Sequence, residues 1–525
     1  MICNPILTGF NPDPSIVRVG EDYYIATSTF EWFPGVAIYH SKDLVHWQLL
    51  TYPLRDTRLL DLKGIPSSGG IWAPCLSYAD GIFYLCYTVM RSRKGVYKDM
   101  RNYVTTAESI HGPWSDPVYL NGTGFDHSLF HDTDGRKWLL NMHWDHRQGK
   151  ARFAGVYMQE YDAVKQKLVG PVKQLTKGTS IGVTEGPHLY KIGEYYYLLL
   201  AEGGTGRNHA ATMMRSRSID GPYEADPDYP IVTSAGDPGH PLQNAGHGCL
   251  VQTQNGDWYM TIICARMLPD GRQLNPLGRE TALQHIEWTQ DGWPRLSGGG
   301  RQAQLTLPSP DLAPHPFPEE LETDHFENSR LSIHWQSLRV PAAPSWLSLT
   351  ERPGYLRLTG RESLYSWHEQ SMVARRIRHF RCEVETCVEF APASYCQMAG
   401  LVFYYDESEY FYLRITQDEE LGAYVGIEIS ETAKLREEQE RIGVNGWERV
   451  YLRGVIDYAK LSLYVSSDGQ AWQRIGPELD FGMLSDEYGG KLGFTGSMVG
   501  LCAQDLSEAK SYADFDYFTY RALSE

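Results

Sequence analysis

Three acidic residues of this chain stand in short segments marked by proline or glycine. Asp13 lies in Asn11-Pro12-Asp13-Pro14-Ser15, Asp126 in Gly124-Phe125-Asp126-His127-Ser128, and Glu185 in Val183-Thr184-Glu185-Gly186-Pro187. Hydrolysis of a glycosidic bond calls for such a set: one carboxylic acid protonates the leaving oxygen, and a second carboxylate activates water or attacks the sugar. The prolines around Asp13 hold its carboxylate on an extended segment rather than a mobile helix end. Glu185 sits in apolar surroundings with a helix and strand breaker behind it, so burial would raise its pKa and keep it protonated, as a general acid requires. Asp126 would add a further negative charge, disfavouring ionisation of Glu185 and helping to orient it.

Any one of these acids alone reads as a turn or strand-end residue. A repeat joins them. The turn-plus-aromatic run Gly20-Glu21-Asp22-Tyr23-Tyr24-Ile25 recurs in related form from Asp80, Asp134, Gly193 and Asn255, at intervals of 60, 54, 59 and 62 residues. Seven or eight residues upstream of these starts stand Asp13, Trp72, Asp126, Glu185 and His247. Five similar units, each with room for about four short strands, predict a five-bladed β-propeller, in which radial repetition leaves only short protected edges. Equivalent positions on the inner strands would then converge on the central channel. Trp72 offers a flat face for a sugar, against the alternative of core packing. His247 is a hydrogen-bond partner for substrate or carboxylate, against the alternative of a satisfied histidine plugging the channel.

Strand-like runs dominate and long helical stripes are scarce, so the fold class is all-β. The proline-rich stretch from Leu307 to Pro318 suits a semi-rigid connector. It divides the chain into a catalytic propeller over 1–310, a linker over 311–322 and a β-sandwich over 323–525, where segments such as Tyr410-Phe411-Tyr412-Leu413-Arg414-Ile415 alternate. A formal charge of -17 without a dense basic run argues against nucleic acid. No stretch approaches 18 apolar residues and the N-terminus has no export signal, which predicts a soluble protein with no membrane partner. Nine scattered cysteines without a CxxC pair predict reduced thiols and a cytoplasmic location. Nucleotide-binding, zinc-protease and serine-hydrolase signatures are absent from any convincing context.

The run Asn4-Pro5-Ile6-Leu7-Thr8-Gly9-Phe10-Asn11-Pro12-Asp13-Pro14-Ser15 strongly resembles the opening of family 43 glycoside hydrolases, in the β-xylosidase branch. The likeness continues through Ser28 to Gly35, Ile38 to Leu44, Thr184 to His188, Glu202-Gly203-Gly204-Thr205-Gly206, Pro276 to Thr281 and Gly500 to Asp505. It implies a five-bladed propeller followed by a concanavalin-like sandwich. Asp13 would be general base, Glu185 general acid and Asp126 pKa modulator. Phe30, Trp72, Phe125, His247 and Arg279 would line the pocket for a terminal xylose. The implied substrate is a β-1,4-xylo-oligosaccharide cut from its non-reducing end with inversion, and the implied assembly is a homo-oligomer, a tetramer being favoured. No cofactor or metal is required, and a bound Ca2+ is not predicted. In this branch a sandwich loop carries a Phe to the pocket mouth, and Met498 stands at the corresponding position. His127 follows Asp126 where a small residue or proline is common, and its proton would perturb the local charge balance. An α-L-arabinofuranosidase, a non-catalytic carbohydrate-binding protein and a retaining fructan or sucrose hydrolase are the rival readings.

Overall fold

The computed structural model describes residues 1–524, nearly all strand and loop. Five separate antiparallel sheets follow one another along the first part of the chain, four of them four-stranded and the fourth in order five-stranded. Their innermost strands are Ser15–Val19, Gly70–Ala79, Ser128–His131, Glu185–Ile192 and Gln243–Gln252. Each lies beside the next, and the fifth returns to the first, which closes the ring of a five-bladed propeller. The repeated turn signature joins each inner strand to its neighbour. Gly20, Gly81, Gly135, Gly193 and Gly256 supply the left-handed residue that such tight connections need. The aromatic positions that follow, such as Tyr23, Phe83, Trp138, Tyr197 and Tyr259, are buried between blades.

A second repeat appears on the inner strands. Asp13, Ala73, Asp126, Gly186 and His247 all adopt positive φ, at 56°, 33°, 54°, 56° and 48°. Each stands six positions before the last paired residue of its inner strand, at Val19, Ala79, Asp132, Ile192 and Thr253. Left-handed backbone at a residue with a side chain is costly and is kept where the surroundings enforce it. Here it kinks every inner strand at the same height and turns that height toward the channel mouth. Trp72 and Glu185 are thus not strict equivalents of Asp13: each stands one residue before the kink. Blades three and five have longer turns, which conceals the offset when spacing is counted from the turn.

Ile2–Cys3 pairs with Thr306–Leu307 outside the blades, tying the start of the chain to the end of the propeller segment. The proline-rich segment then runs along blade one, where the His315 amide donates to Asp43 Oδ2 at 2.7 Å and the Phe317 ring lies 5.6 Å from His40. The first sandwich strand is Thr323–Asp324. Two large antiparallel sheets enclose a core that includes Trp335, Leu401, Phe403, Leu452, Phe515 and Phe518. This layered packing is that of a β-sandwich.

The domains are joined by more than the linker. Trp32–Phe33, from the propeller, forms the edge strand of one sandwich sheet by pairing with Gln336–Leu338. The Arg339 amide extends the ladder with a 2.9 Å hydrogen bond to the Glu31 carbonyl. Trp32 is fully buried and meets Tyr404 edge-on at 6.1 Å. A two-residue strand has no periodicity, so this pairing had no sequence signature. No helix among the described residues is long and apolar enough to cross a membrane.

Candidate active site

At the channel mouth a cavity of about 380 Å³ is lined by Asp13, Phe30, Trp72, Phe125, Asp126, Glu185, His247 and Arg279, which come from all five blades. Its walls are aromatic: Trp72 lies 5.3 Å from Phe125 and 6.2 Å from Phe30, and Trp144 and Phe153 continue the surface outward from Phe125. Below Asp13, Asp126 and His247 the channel narrows to a void of about 10 Å³ among Pro74, Cys75, Pro187 and His188. A void of that size holds at most one water. The cavity is therefore closed at its inner end to anything larger than a water.

The carboxylates differ in their surroundings. Asp13 Oδ1 accepts from Arg279 Nη1 at 2.9 Å and lies 3.7 Å from His247 Nδ1, while Oδ2 accepts from the Ser28 hydroxyl at 2.6 Å. Ser28 Oγ in turn accepts from the Ala73 amide. Burial pushes the Asp13 pKa up, but the Arg279 and His247 charges and the Ser28 hydrogen bond outweigh it, so the group stays below its ordinary value. Glu185 has no such partners. Burial, followed by the charges of Asp126 and Asp13, holds its carboxyl well above the ordinary range. Asp126 is also pushed up, first by burial and then by Asp13. The surroundings thus favour the ionised form of Asp13 and the protonated forms of Asp126 and Glu185, and Asp126 disfavours ionisation of Glu185 as expected from its sequence position.

Two expectations need correction. Met498 does not line the cavity: it is fully buried on the strand Met498–Asp505, paired with Arg376 and Tyr404. Phe494, four residues earlier, reaches the pocket instead. Its ring stacks on Phe30 at 6.2 Å and meets Trp72 edge-on at 5.3 Å. Strand pairing consumes Met498, whereas Phe494 lies in the irregular loop before that strand. His127 is the second correction. It is buried, its Nε2 lies 3.0 Å from the Tyr103 carbonyl, and burial lowers its pKa to about 4. It is neutral near pH 7 and brings no proton charge to the site.

The sandwich wall is fixed from the propeller side. The Phe494 amide donates to Ser68 Oγ at 3.2 Å, and its carbonyl accepts from Arg279 Nη2 at 3.1 Å. Ser68 also accepts from Trp72 Nε1 through its carbonyl and donates its amide to Glu31 Oε2. One residue therefore positions two aromatic walls. Arg279 is buried, and its Nε is a buried donor with no hydrogen-bond partner within the described residues. His247 is also buried, and burial lowers its pKa against the opposing pull of Asp13. Beyond the expected set, Lys98, Val183, Leu492 and the turn Gly203 to Gly206 also line the cavity. Lys98 lies over the Trp144 ring at 4.6 Å.

The arrangement matches known proteins over both domains. The family described as glycosyl hydrolases family 43 matches residues 2–294, and the β-xylosidase C-terminal concanavalin A-like domain matches residues 323–521. A β-xylosidase of Bacillus subtilis is 48% identical over 532 residues, covering 99% of each chain. A non-reducing end α-L-arabinofuranosidase of Bacteroides ovatus is 37% identical over 536 residues, covering 99% of this chain and 94% of its own. Among solved structures, a xylan β-1,4-xylosidase from Bacillus halodurans C-125 superposes with a TM-score of 0.98 at 55% identity, covering 99% of this chain and all of its own. With both of its domains matched in order and its length spanned by such relatives, this chain belongs to glycosyl hydrolases family 43 and is a glycoside hydrolase.

Proposed function

We propose that the chain is an exo-acting, inverting β-xylosidase that releases D-xylose from the non-reducing ends of β-1,4-xylo-oligosaccharides. The observation that carries this reading is the opposed protonation of Asp13 and Glu185 in a pocket closed at its inner end and walled by aromatic rings. A pocket closed at its inner end takes the end of a chain rather than its middle. Glu185, kept protonated, gives its proton to the leaving oxygen, and Asp13, kept ionised, takes one from the attacking water. Asp126 shares the proton of Glu185 and keeps its neighbour from ionising. The names borne by the Bacillus subtilis and Bacillus halodurans relatives support xylose as the sugar.

Proton NMR of xylobiose turnover tests the reaction. Newly released α-xylose is the expected product, and first-formed β-xylose overturns the inverting mechanism. The linkage is tested in parallel with 1,3-linked xylobiose, since a Vibrio relative at 46% identity is named a xylan 1,3-β-xylosidase. Turnover of an aryl α-L-arabinofuranoside faster than of the aryl β-xyloside would shift the assignment to arabinofuranose, the sugar in the name of the Bacteroides ovatus relative.

The pH profile of kcat/KM follows from the same geometry. Activity needs Asp13 without its proton and the Glu185 and Asp126 pair with one, so the profile is bell-shaped. Asp13 sits below its ordinary 3.8, and its titration sets the acid limb. Arg279 lowers the pKa of Asp13 and also of the pair. Arg279→Gln is expected to move both limbs to higher pH. An acid limb that stays in place would remove Arg279 from control of Asp13.

A further inference from the structure

The stretch Glu202-Gly203-Gly204-Thr205-Gly206 is only partly explained by the pocket, because Glu202 does not line it. Glu202 is fully buried at the end of the strand Tyr195–Glu202, one residue past Ala201, which pairs with Glu185. Its carboxyl accepts four hydrogen bonds, two on each oxygen. Oε1 accepts from the Thr179 amide at 2.8 Å and the Thr184 hydroxyl at 2.8 Å. Oε2 accepts from the Thr179 hydroxyl at 2.6 Å and the Thr212 hydroxyl at 2.9 Å. Few buried carboxyls have so complete a set of donors, and the set ties three segments together: the loop at Thr179, the residue directly before Glu185, and the strand Ala210–Ser216.

The segment held in this way is the one that bends Glu185 into the pocket. Gly182, Val183 and Gly186 all have positive φ, at 77°, 52° and 56°, and the Gly203 amide donates to the Gly182 carbonyl at 2.8 Å. Val183 lacks the freedom of glycine, so its left-handed backbone must be enforced by its surroundings. Gly178 completes the packing. A Cβ there would lie 1.9 Å from Thr184 Oγ1 and 2.3 Å from Glu202 Oε1. The shift of Glu185 itself arises from burial and neighbouring charge rather than from hydrogen bonds to its carboxyl. Its placement is thus inherited from the backbone on either side.

We propose that Glu202 is a positioning residue for the general acid: through Thr179, Thr184 and Thr212 it locks the strained backbone that sets Glu185 against the leaving oxygen. This rests on the assignment of Glu185 as the acid. A group acting through the acid must affect substrates in proportion to how much their leaving group needs a proton. A group that only holds the blade together affects all substrates alike.

The test compares Glu202→Gln and the milder Thr212→Val with the unaltered full-length chain, on xylobiose and on 2,4-dinitrophenyl β-xyloside, whose phenolate departs without protonation. Glu202→Gln keeps the shape but replaces one acceptor oxygen with a donor facing donors. The expected result is a fall in kcat on xylobiose of roughly ten- to hundredfold, within the range that acid catalysis supplies. KM should change by less than about threefold, and the activated xyloside should lose less than about threefold in kcat, since neither depends on the proton delivered by Glu185. Thr212→Val should show the same pattern at smaller size, and its thermal unfolding identifies any general loss of fold. Equal losses on both substrates, or none on either, would overturn the proposal. Absence of xyloside turnover by the unaltered chain would instead overturn the assignment of the reaction.

Discussion

Asp13→Asn lowers kcat on every xyloside by roughly 10²- to 10⁴-fold, about 3 to 5 kcal/mol of barrier, because the attacking water loses its base. The loss is expected to be independent of the leaving group, since water must be activated whether or not the departing oxygen needs a proton. Asparagine keeps an oxygen for the Ser28 hydroxyl but leaves Arg279 without its 2.9 Å ion-pair partner. Part of the effect will therefore appear as altered sugar binding. Steady-state kinetics on xylobiose and a series of aryl xylosides separates the two contributions. A kcat within tenfold of the unaltered chain on all of them would rule out Asp13 as the base.

Glu185→Gln gives the contrasting pattern. On xylobiose the expected fall is again roughly 10²- to 10⁴-fold, the usual contribution of a positioned acid. On 2,4-dinitrophenyl β-xyloside the expected fall is less than about tenfold, because the leaving phenolate needs no proton. The alkaline limb of the pH profile should change as well. In the unaltered chain it marks loss of the proton kept on the Glu185 and Asp126 pair by burial, by the charge of Asp13 and, on Glu185, by the charge of Asp126. With glutamine in place the titrating acid is gone, so the alkaline decline that it sets should disappear on the activated xyloside, which needs no proton from that position. A leaving-group series as flat as that of Asp13→Asn would show that Glu185 is not the proton donor.

Much of the fold was legible because the propeller repeats. The turn signatures near Gly20, Asp80, Asp134, Gly193 and Asn255 need a left-handed residue followed by buried aromatics, a requirement written in residue types. The three carboxylates were legible for a similar reason, since Asp13 and Asp126 stand at the kink of their blades and Glu185 one residue before it, which appears as a near-regular spacing. Phe494 was not. Its loop contains Gly489, Gly490, Gly493 and Gly496, and no period says which of its side chains faces the propeller. The glycine-rich run with a lone Phe was the available signal. The neutrality of His127 depends on burial against Tyr103, a contact between blades that linear order does not reveal. The environment of Glu202 was hidden likewise, because its donors at Thr179, Thr184 and Thr212 meet only once the strands have paired.

The ladder between Trp32–Phe33 and Gln336–Leu338 bears on how this chain is divisible. Propeller and sandwich look like modules on either side of a proline-rich connector, and a cut there seems natural. Separation would strip a sheet of its border strand and leave the edge of Gln336–Leu338 that faced it unpaired, a template for association with other chains. It would also bare Trp32 from the propeller and the sandwich side chains Leu338 and Tyr404 that share its apolar cluster. The freed propeller would keep all three carboxylates and lose the Phe494 wall above them. The unit expected to work is therefore the whole chain, with the sandwich as much a part of the enzyme as the blades.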